Sequence, residues 1–148
     1  MKMYMENNFD PKLINALGRT YRSAQIRSLR LLYHYGLTMP QFTVLEVLYN
    51  KGAMTVKSII ETVLSSGGSM TVVIRNLEQQ GLVAREENTA DRRSYLISIT
   101  EQGRSLMESV LPLCFEDIHE MLSVLTEKEK KALYGYLIRL SGDTADSE

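Results

Sequence analysis

The chain is poor in the residues that most often build disulfides and metal sites. Its 148 residues include one cysteine, Cys114, and two histidines, His34 and His119. A single cysteine excludes an internal disulfide framework and a multi-cysteine metal cage, and two histidines give little material for a zinc site. The sequence therefore predicts no metal and no cofactor.

Long apolar runs are also missing, and no stretch approaches the roughly 20 residues that span a bilayer. Residues 1–9 lack the basic-then-apolar order of a signal peptide. Hydrophobic residues make up 44% of the chain and charged residues 24%, as in ordinary globular domains. We therefore expect a cytoplasmic protein of single-domain length with no membrane attachment.

The chain lacks an excess of charge of either sign, since its net charge is −1. The charge is nevertheless unevenly distributed. Residues 1–60 carry eight Lys or Arg against three Asp or Glu, whereas residues 105–148 carry four against nine. A neutral protein can bind DNA when its basic groups share one surface and its acidic groups lie elsewhere. The net charge therefore does not exclude a nucleic-acid partner.

Catalytic motifs are absent from the sequence as well. It contains no nucleophile elbow, no phosphate-binding glycine loop and no pair of histidines at metal-ligand spacing. Ser65 and Ser66 have no base near them in the sequence. We therefore expect no catalytic residues and no enzymatic activity.

Six helices are predicted from capping residues and from apolar residues at helical spacing. The predicted caps are Asp10, Thr38, Thr55, the segment 65–68, Thr100 and Thr126. In the fourth helix the apolar residues recur at i, i+3, i+4 and i+7, the spacing of one buried face. They are Met70, Val73, Ile74 and Leu77.

After Gly81 the apolar spacing changes from that of a helix to that of strands. Residues 82–85 and Tyr95–Ile99 are short strand candidates, joined by a polar loop over 86–94. Three short helices followed by a hairpin are the element order of a winged helix-turn-helix. The predicted fold is mainly α with a small β-hairpin wing. Its DNA-binding domain spans 37–100, and the helices of 1–36 and 101–148 form a dimerisation region.

The fourth helix is the candidate recognition helix, and its outward face suits a duplex. Arg75 can pair with guanine or a phosphate, and Asn76 can pair with adenine, whereas Thr71 and Val72 can place methyl groups against thymine. Serines near the helix start suit phosphate contacts, and a glycine there permits close backbone approach. These residues are Ser66, Ser69 and Gly68. The alternative is an amphipathic helix whose polar side simply meets water.

The loop between the two strands carries two adjacent arginines, Arg92 and Arg93, preceded by Asp91. Arginines at a wing tip can enter a minor groove or contact phosphates on either side of it. Asp91 is then expected to support the wing by orienting one guanidinium. The alternative is a solvated pair of loop charges. The position of the pair after a candidate recognition helix and a strand favours the wing over this alternative.

Three sequence runs follow one another at fixed spacing. L-E-x-x-G-L-V-x-R occupies 77–85, D-R-R-S-Y occupies 91–95, and I-S-I-T-E-Q-G occupies 97–103. Together with Q-F-T-V-L at 41–45, they resemble the MarR family of bacterial transcription regulators. The resemblance covers about residues 10–140.

The resemblance implies a homodimer in which the first, fifth and sixth helices interlock and two winged domains bind a pseudo-palindromic operator. Arg93 matches the family's wing arginine, and Arg92 matches its basic neighbour. The expected function is that of a repressor released from DNA by a small molecule. Segments 65–71 and 19–23 are most similar to the branch that responds to quinones and related phenolic compounds. The dimer is also predicted from the apolar surface of the same three helices, which one winged domain cannot cover.

Aromatic residues of the first two helices give a candidate pocket for a small aromatic effector, as the resemblance suggests. The candidates are Tyr21, His34 and Phe42, with Tyr33 and Tyr35 on either side of His34 in the same cluster. Aromatic residues at helical spacing are also typical of a dimer core, and His34 can equally cap the end of its helix.

Cys114 permits two interpretations, a redox sensor or a buried and unreactive thiol. A reactive thiol needs a lowered pKa and exposure. Cys114 lies between Leu113 and Phe115, and the acidic Glu116 and Asp117 follow it. Because acidic neighbours disfavour the thiolate, we expect the unreactive form.

A winged-helix module that binds another protein, without specific DNA binding, is the alternative function. Such a module should display large apolar anchors on its exposed helix. The outward face of the fourth helix instead carries Gly68, Thr71, Arg75 and Asn76, which favours DNA.

Overall fold

The computed structural model describes residues 9–63, 67–89, 91 and 93–142, and for 67–69 it describes the backbone alone. These residues form six helices and three short strands. In chain order the elements are α1 (Asp10–His34), α2 (Met39–Lys51), β1 (Met54–Thr55), α3 (Val56–Val63), α4 (Gly67–Gln79), β2 (Val83–Glu87), β3 (Tyr95–Ile99), α5 (Glu101–Leu122) and α6 (Glu127–Ser141). The predicted winged helix-turn-helix, mainly helical with a small hairpin, is confirmed.

Most helix starts follow the predicted capping chemistry. At α2, the Gln41 backbone N–H donates to Thr38 Oγ1 at 3.4 Å, and the Thr38 N–H donates to Gln41 Oε1 at 2.9 Å. The prediction that Asp10 caps α1 is wrong. Phe9 is the cap residue, and because its own backbone is helical, with φ −75° and ψ −22°, Asp10 falls inside the first turn.

The core lies between the helices and the hairpin, and its side chains are fully buried. It is formed by the following apolar residues of α1, α2, α3, α4, the hairpin and α5: Leu32, Val44, Leu45, Leu48, Ile59, Met70, Ile74, Leu77, Ile97, Met107 and Val110. The predicted inward face of α4 is confirmed, with Val73 half-buried beside its buried neighbours. Burial of this stripe fixes which face of α4 remains exposed.

The sheet has the strand order β1-β3-β2 and is antiparallel throughout. The wing hairpin pairs Val83 with Ile99 at its base and Glu87 with Tyr95 toward its tip. Its first strand begins one residue later than predicted. The Leu82 backbone N–H still donates to Leu77 O at 3.0 Å, completing the C-terminal turn of α4 in which Gly81 adopts a φ of 72°.

The described residues divide into two compact units, separated between Cys114 and Phe115 within α5. In the first unit, α1 exposes large apolar side chains such as Leu13, Ile14 and Tyr33. In the second unit, Phe115, Ile118, Leu133, Leu137 and Leu140 are likewise exposed. Exposed apolar surface on long helices is what a dimerisation region needs. The assignment of 1–36 and 101–148 to that region and of 37–100 to DNA binding stays a prediction.

The described residues offer neither a membrane-spanning helix nor a metal-binding cluster. None of their helices combines the length and apolarity needed to cross a membrane. No group of three or more His, Cys, Asp or Glu side chains among them is arranged to hold a metal ion.

We expect α6 to lose its N-terminal cap in acid, because its capping box depends on a carboxylate. The Thr126 N–H and hydroxyl donate to Glu129 Oε2 at 2.8 and 2.7 Å, and these bonds hold the pKa of Glu129 below its ordinary value of 4.5. A lowered folded-state pKa adds stability that is complete above that ordinary value and is lost as pH falls through the folded value. The Cα chemical shifts of 127–141 should therefore move toward coil below about pH 4.5.

The α2 helix is the internal control for this titration. Its capping box uses Gln41, which does not ionise, so its first turn should keep its chemical shifts over the same range. With Glu129→Gln, the chemical shifts of the first turn of α6 should no longer change as pH falls, as in α2. Simultaneous loss of both caps would show that acid acts on the whole fold rather than on Glu129.

Candidate nucleic-acid interface

The face of α4 opposite the core carries the predicted DNA-contacting side chains. Thr71, Arg75 and Asn76 are exposed, and Val72 is 44% exposed. The structure therefore places these four on the solvent side of one helix. Ser66 lies outside the described residues, and Gly68 and Ser69 lie in the first turn of α4, where only the backbone is described.

The wing loop is held by hydrogen bonds among its own residues. The Asp91 N–H donates to Asn88 O at 3.1 Å, and the Ser94 N–H donates to Asp91 O at 3.0 Å. Asn88 Nδ2 also donates to Ser94 Oγ at 2.9 Å. These bonds connect Asn88, Asp91 and Ser94, and Arg93, which precedes Ser94, is exposed.

Asp91 contacts the backbone of the wing loop. Its Oδ1 accepts a hydrogen bond from the Arg93 N–H at 3.0 Å. The contact that the structure describes is thus with the main chain of Arg93, and the expected contact with a guanidinium stays a prediction. Arg92, the other predicted wing arginine, lies outside the described residues.

An ion pair that the sequence reasoning did not identify joins α4 to the wing. Arg85 Nε donates to Glu78 Oε1 at 3.0 Å, and Arg85 Nη2 donates to Glu78 Oε2 at 3.2 Å. The Arg85 guanidinium carbon also lies 5.4 Å from the centre of the Tyr95 ring. The hydrogen bond with Glu78 raises the pKa of Arg85 above its ordinary value. The E-x-x-G-L-V-x-R spacing was the available signal, since a glycine turn between the two charges can bring them together.

A groove of about 390 Å³ lies between the start of α3 and the wing. Three cationic residues, Lys57, Arg85 and Arg93, contribute to its lining, and Asp91 is the acidic residue among the lining residues. A surface with this charge balance suits a phosphate backbone. Lys57 was not among the residues predicted from the sequence.

The three predicted effector residues are placed at separate points. Tyr21 is 66% exposed and accepts a hydrogen bond from Gln25 Nε2 at 2.9 Å. The His34 ring meets Tyr35 edge-on with 6.4 Å between ring centres, and Phe42 is half-buried against the core. An apolar cavity of about 570 Å³ does lie between α1 and the start of α2. Its lining consists of Ile26, Leu29, Arg30, Tyr33, Leu37, Thr38, Met39 and Pro40. Tyr33, the neighbour of His34 in the predicted aromatic cluster, is in that lining, whereas Tyr21, His34 and Phe42 are not.

Cys114 is half-buried and packs against the core. The unreactive thiol expected from the sequence stays a prediction.

Comparison with known proteins identifies the family. The sequence model of the MarR family matches residues 37–95, from two residues before α2 to the first residue of β3. The HTH-type transcriptional regulator MhqR of Bacillus subtilis is 38% identical over 118 residues, which cover 80% of this chain and 81% of MhqR. The chain belongs to the MarR family.

Two further relatives support this assignment. The organic hydroperoxide resistance transcriptional regulator of Bacillus subtilis is 36% identical over 114 residues, covering 74% of this chain and 78% of that protein. The solved structure of Bordetella bronchiseptica BpsR, whose DNA binding is regulated by 6-hydroxynicotinic acid, superposes with a TM-score of 0.75. It is 26% identical and covers 89% of this chain and 99% of that chain. This MarR-family protein is therefore a DNA-binding transcriptional regulator.

Proposed function

We propose that this MarR-family protein is a repressor that occupies a pseudo-palindromic operator as a homodimer and is released by a small aromatic effector. The observation that carries its DNA-binding part is the arrangement of α4 and the wing. One compact unit presents Arg75 and Asn76 on the exposed face of α4 and Arg93 on the wing loop. Such a unit can place a helix in a major groove and a basic loop in the adjacent minor groove.

The residues proposed to contact DNA on α4 are Gly68, Ser69, Thr71, Val72, Arg75 and Asn76. Ser66 before α4, and Arg92 and Arg93 in the wing, complete the set, with Asp91 supporting the wing. The described side chains of α4 favour DNA over a protein partner. A protein-binding helix is expected to expose several large apolar anchors. Among the described side chains of this face, a single valine, Val72, is large, hydrophobic and exposed.

Selection of bound sites from random duplexes tests the proposal. The expected product is a two-fold symmetric sequence with half-sites about one helical turn apart, because a symmetric dimer presents two copies of α4. A selection that enriches no sequence, or enriches one asymmetric element, would contradict specific binding by a dimer.

The effector is proposed to be phenolic, from the similarity of segments 65–71 and 19–23 to the phenol-responsive branch. BpsR is regulated by 6-hydroxynicotinic acid, itself a small hydroxylated aromatic compound. The operator complex is titrated separately with simple phenols, quinones and 6-hydroxynicotinic acid. One of these classes should release the protein from DNA, whereas aliphatic acids should not. Tyr21, His34 and Phe42 remain the proposed contacts, and substituting them should shift the concentration needed for release.

We also propose that the protein acts in the cytoplasm and has no catalytic activity. Its DNA partner lies in the cytoplasm of a bacterium, and its relatives named above are transcriptional regulators. Turnover that is lost on substitution of one named serine or histidine would contradict the second statement.

A further inference from the structure

The Glu78–Arg85 pair joins two elements that must act on the same duplex. Glu78 lies in the last turn of α4, and Arg85 is the central residue of β2, where it pairs with Ile97 of β3. Tyr95, under the Arg85 guanidinium, is the first residue of β3. One guanidinium therefore contacts the recognition helix and both strands of the wing.

This contact lies where the buried part of the hairpin ends. At its base, Val83 and Ile97 are buried, and β1 pairs with Ile97 and Leu96. Toward the tip, Glu86, Glu87, Thr89, Asp91, Arg93 and Tyr95 are exposed. An exposed two-stranded ribbon has little of its own to fix its direction. The angle at which the tip leaves the helices thus depends on contacts made at Arg85.

The pair is too exposed to be mainly a source of folding stability. The side chains of Arg85 and Glu78 are 43% and 25% exposed, and exposed ion pairs contribute little to the free energy of unfolding. Its geometry is nevertheless well defined, because two parallel N–H···O bonds fix the plane of the guanidinium and the Tyr95 ring lies against it. Weak stabilisation combined with fixed geometry is typical of a positioning contact.

We propose that Glu78, Arg85 and Tyr95 form a positioning unit that sets the angle between α4 and the wing, so that Arg75 and Arg93 reach adjacent grooves together. This inference rests on the proposed DNA contacts of α4 and the wing. Arg85 and Glu78 act through Arg93 rather than by touching a base.

Glu78→Gln gives a test in which a positioning role and simple electrostatics predict opposite changes in operator affinity. The substitution replaces one acceptor oxygen with an NH₂ group, so the two-bond pairing with Arg85 cannot form. It also removes a negative charge near DNA, which by itself strengthens binding. Positioning predicts that affinity for the selected operator falls about fivefold, within the range of contact couplings.

Glu87→Gln is the matched charge control, since Glu87 is an exposed carboxylate on the same strand as Arg85. It should leave operator affinity unchanged or slightly higher. If Glu78→Gln binds the operator as tightly as Glu87→Gln does, the positioning role is wrong. Urea unfolding of both variants should show midpoints close to that of the parent, which confirms that folded protein is compared.

A double-mutant cycle then asks whether Arg85 acts through the wing arginines. Arg85→Met should weaken operator binding about tenfold in the parent protein and no more than about twofold when Arg92→Ala and Arg93→Ala are already present. If Arg85→Met lowers operator affinity by the same factor in both proteins, and lowers the slope of log affinity against log salt concentration by about one, Arg85 itself contacts phosphate. That result would overturn the inference. If the wing substitutions alone leave operator affinity unchanged, the proposed wing contacts fail, and the inference fails with them.

Discussion

Gly103→Ala is expected to destabilise the folded protein by about 3 kcal/mol, the scale of forced overpacking. Gly103 lies in the first turn of α5 and is buried. A Cβ at this position would collide with the carbonyl oxygen of Leu82 and would lie 2.8 Å from Ile99 Cγ1. The Leu82 carbonyl cannot turn away freely, because it accepts the Thr100 N–H at 3.1 Å. Relief of the collision would therefore separate α5 from the turn that follows α4.

Urea unfolding at a fixed protomer concentration measures this effect, since dimerisation contributes to the stability observed. Gly18→Ala is the control, because Gly18 is also helical and a Cβ there would have no atom within 4 Å. It should raise stability by up to about 1 kcal/mol through helix propensity. A Gly103→Ala protein as stable as the parent would show that α5 and the α4–β2 turn are less closely packed than described.

Arg93→Ala is expected to weaken binding to the selected operator by about 1–3 kcal/mol, the scale of a lost groove contact. Arg93 is exposed on a loop whose backbone is fixed by Asp91, so its side chain is available to DNA without rearrangement of the loop. If the guanidinium reads a minor groove, the loss should be largest for operators with a narrow A·T-rich groove at the wing position. Titrations against the operator and against a variant with G·C pairs at that position measure this directly.

Lys128→Ala is the control for Arg93→Ala. Lys128 is an exposed cation in the first turn of α6, in the second compact unit, and its removal should leave operator affinity within about twofold. Unchanged affinity of a folded Arg93→Ala dimer would count against the wing assignment. A uniform loss across all duplexes would instead assign Arg93 to the phosphate backbone.

The local structure could be predicted where it depends on neighbouring residues. The capping boxes of α2 and α6, the buried stripe of α4 and the strand Tyr95–Ile99 all follow from spacing and side-chain chemistry. The errors are equally local. Asp10 was assigned as a cap although Phe9 takes that place, and β1 was missed because two residues are too few to show a period.

The candidate site also has a part that local sequence spacing predicts and a part that depends on tertiary packing. The sequence placed Arg75 and Asn76 on the exposed side of α4, because burial of one stripe determines the opposite one. It did not find Lys57 in the groove beside the wing, since that position depends on how α3 and the hairpin lie together. The position of the apolar cavity next to α1 was not predicted for a similar reason, because its lining, which includes Tyr33 of the predicted aromatic cluster, comes from two helices joined by a turn.

The sequence by itself determined the six helices, the two strands of the wing hairpin, which face of α4 is exposed, and, through its motifs, the family. Only the tertiary structure decided that Arg85 forms an ion pair with Glu78 and lies over Tyr95. It also decided that Gly103 lies against the Leu82 carbonyl. The physical reason is that helix and strand periods are set by bonds and sterics between near neighbours. The angle between α4 and the wing is set instead by contacts across the α4–β2 turn and between strands, which no periodicity records.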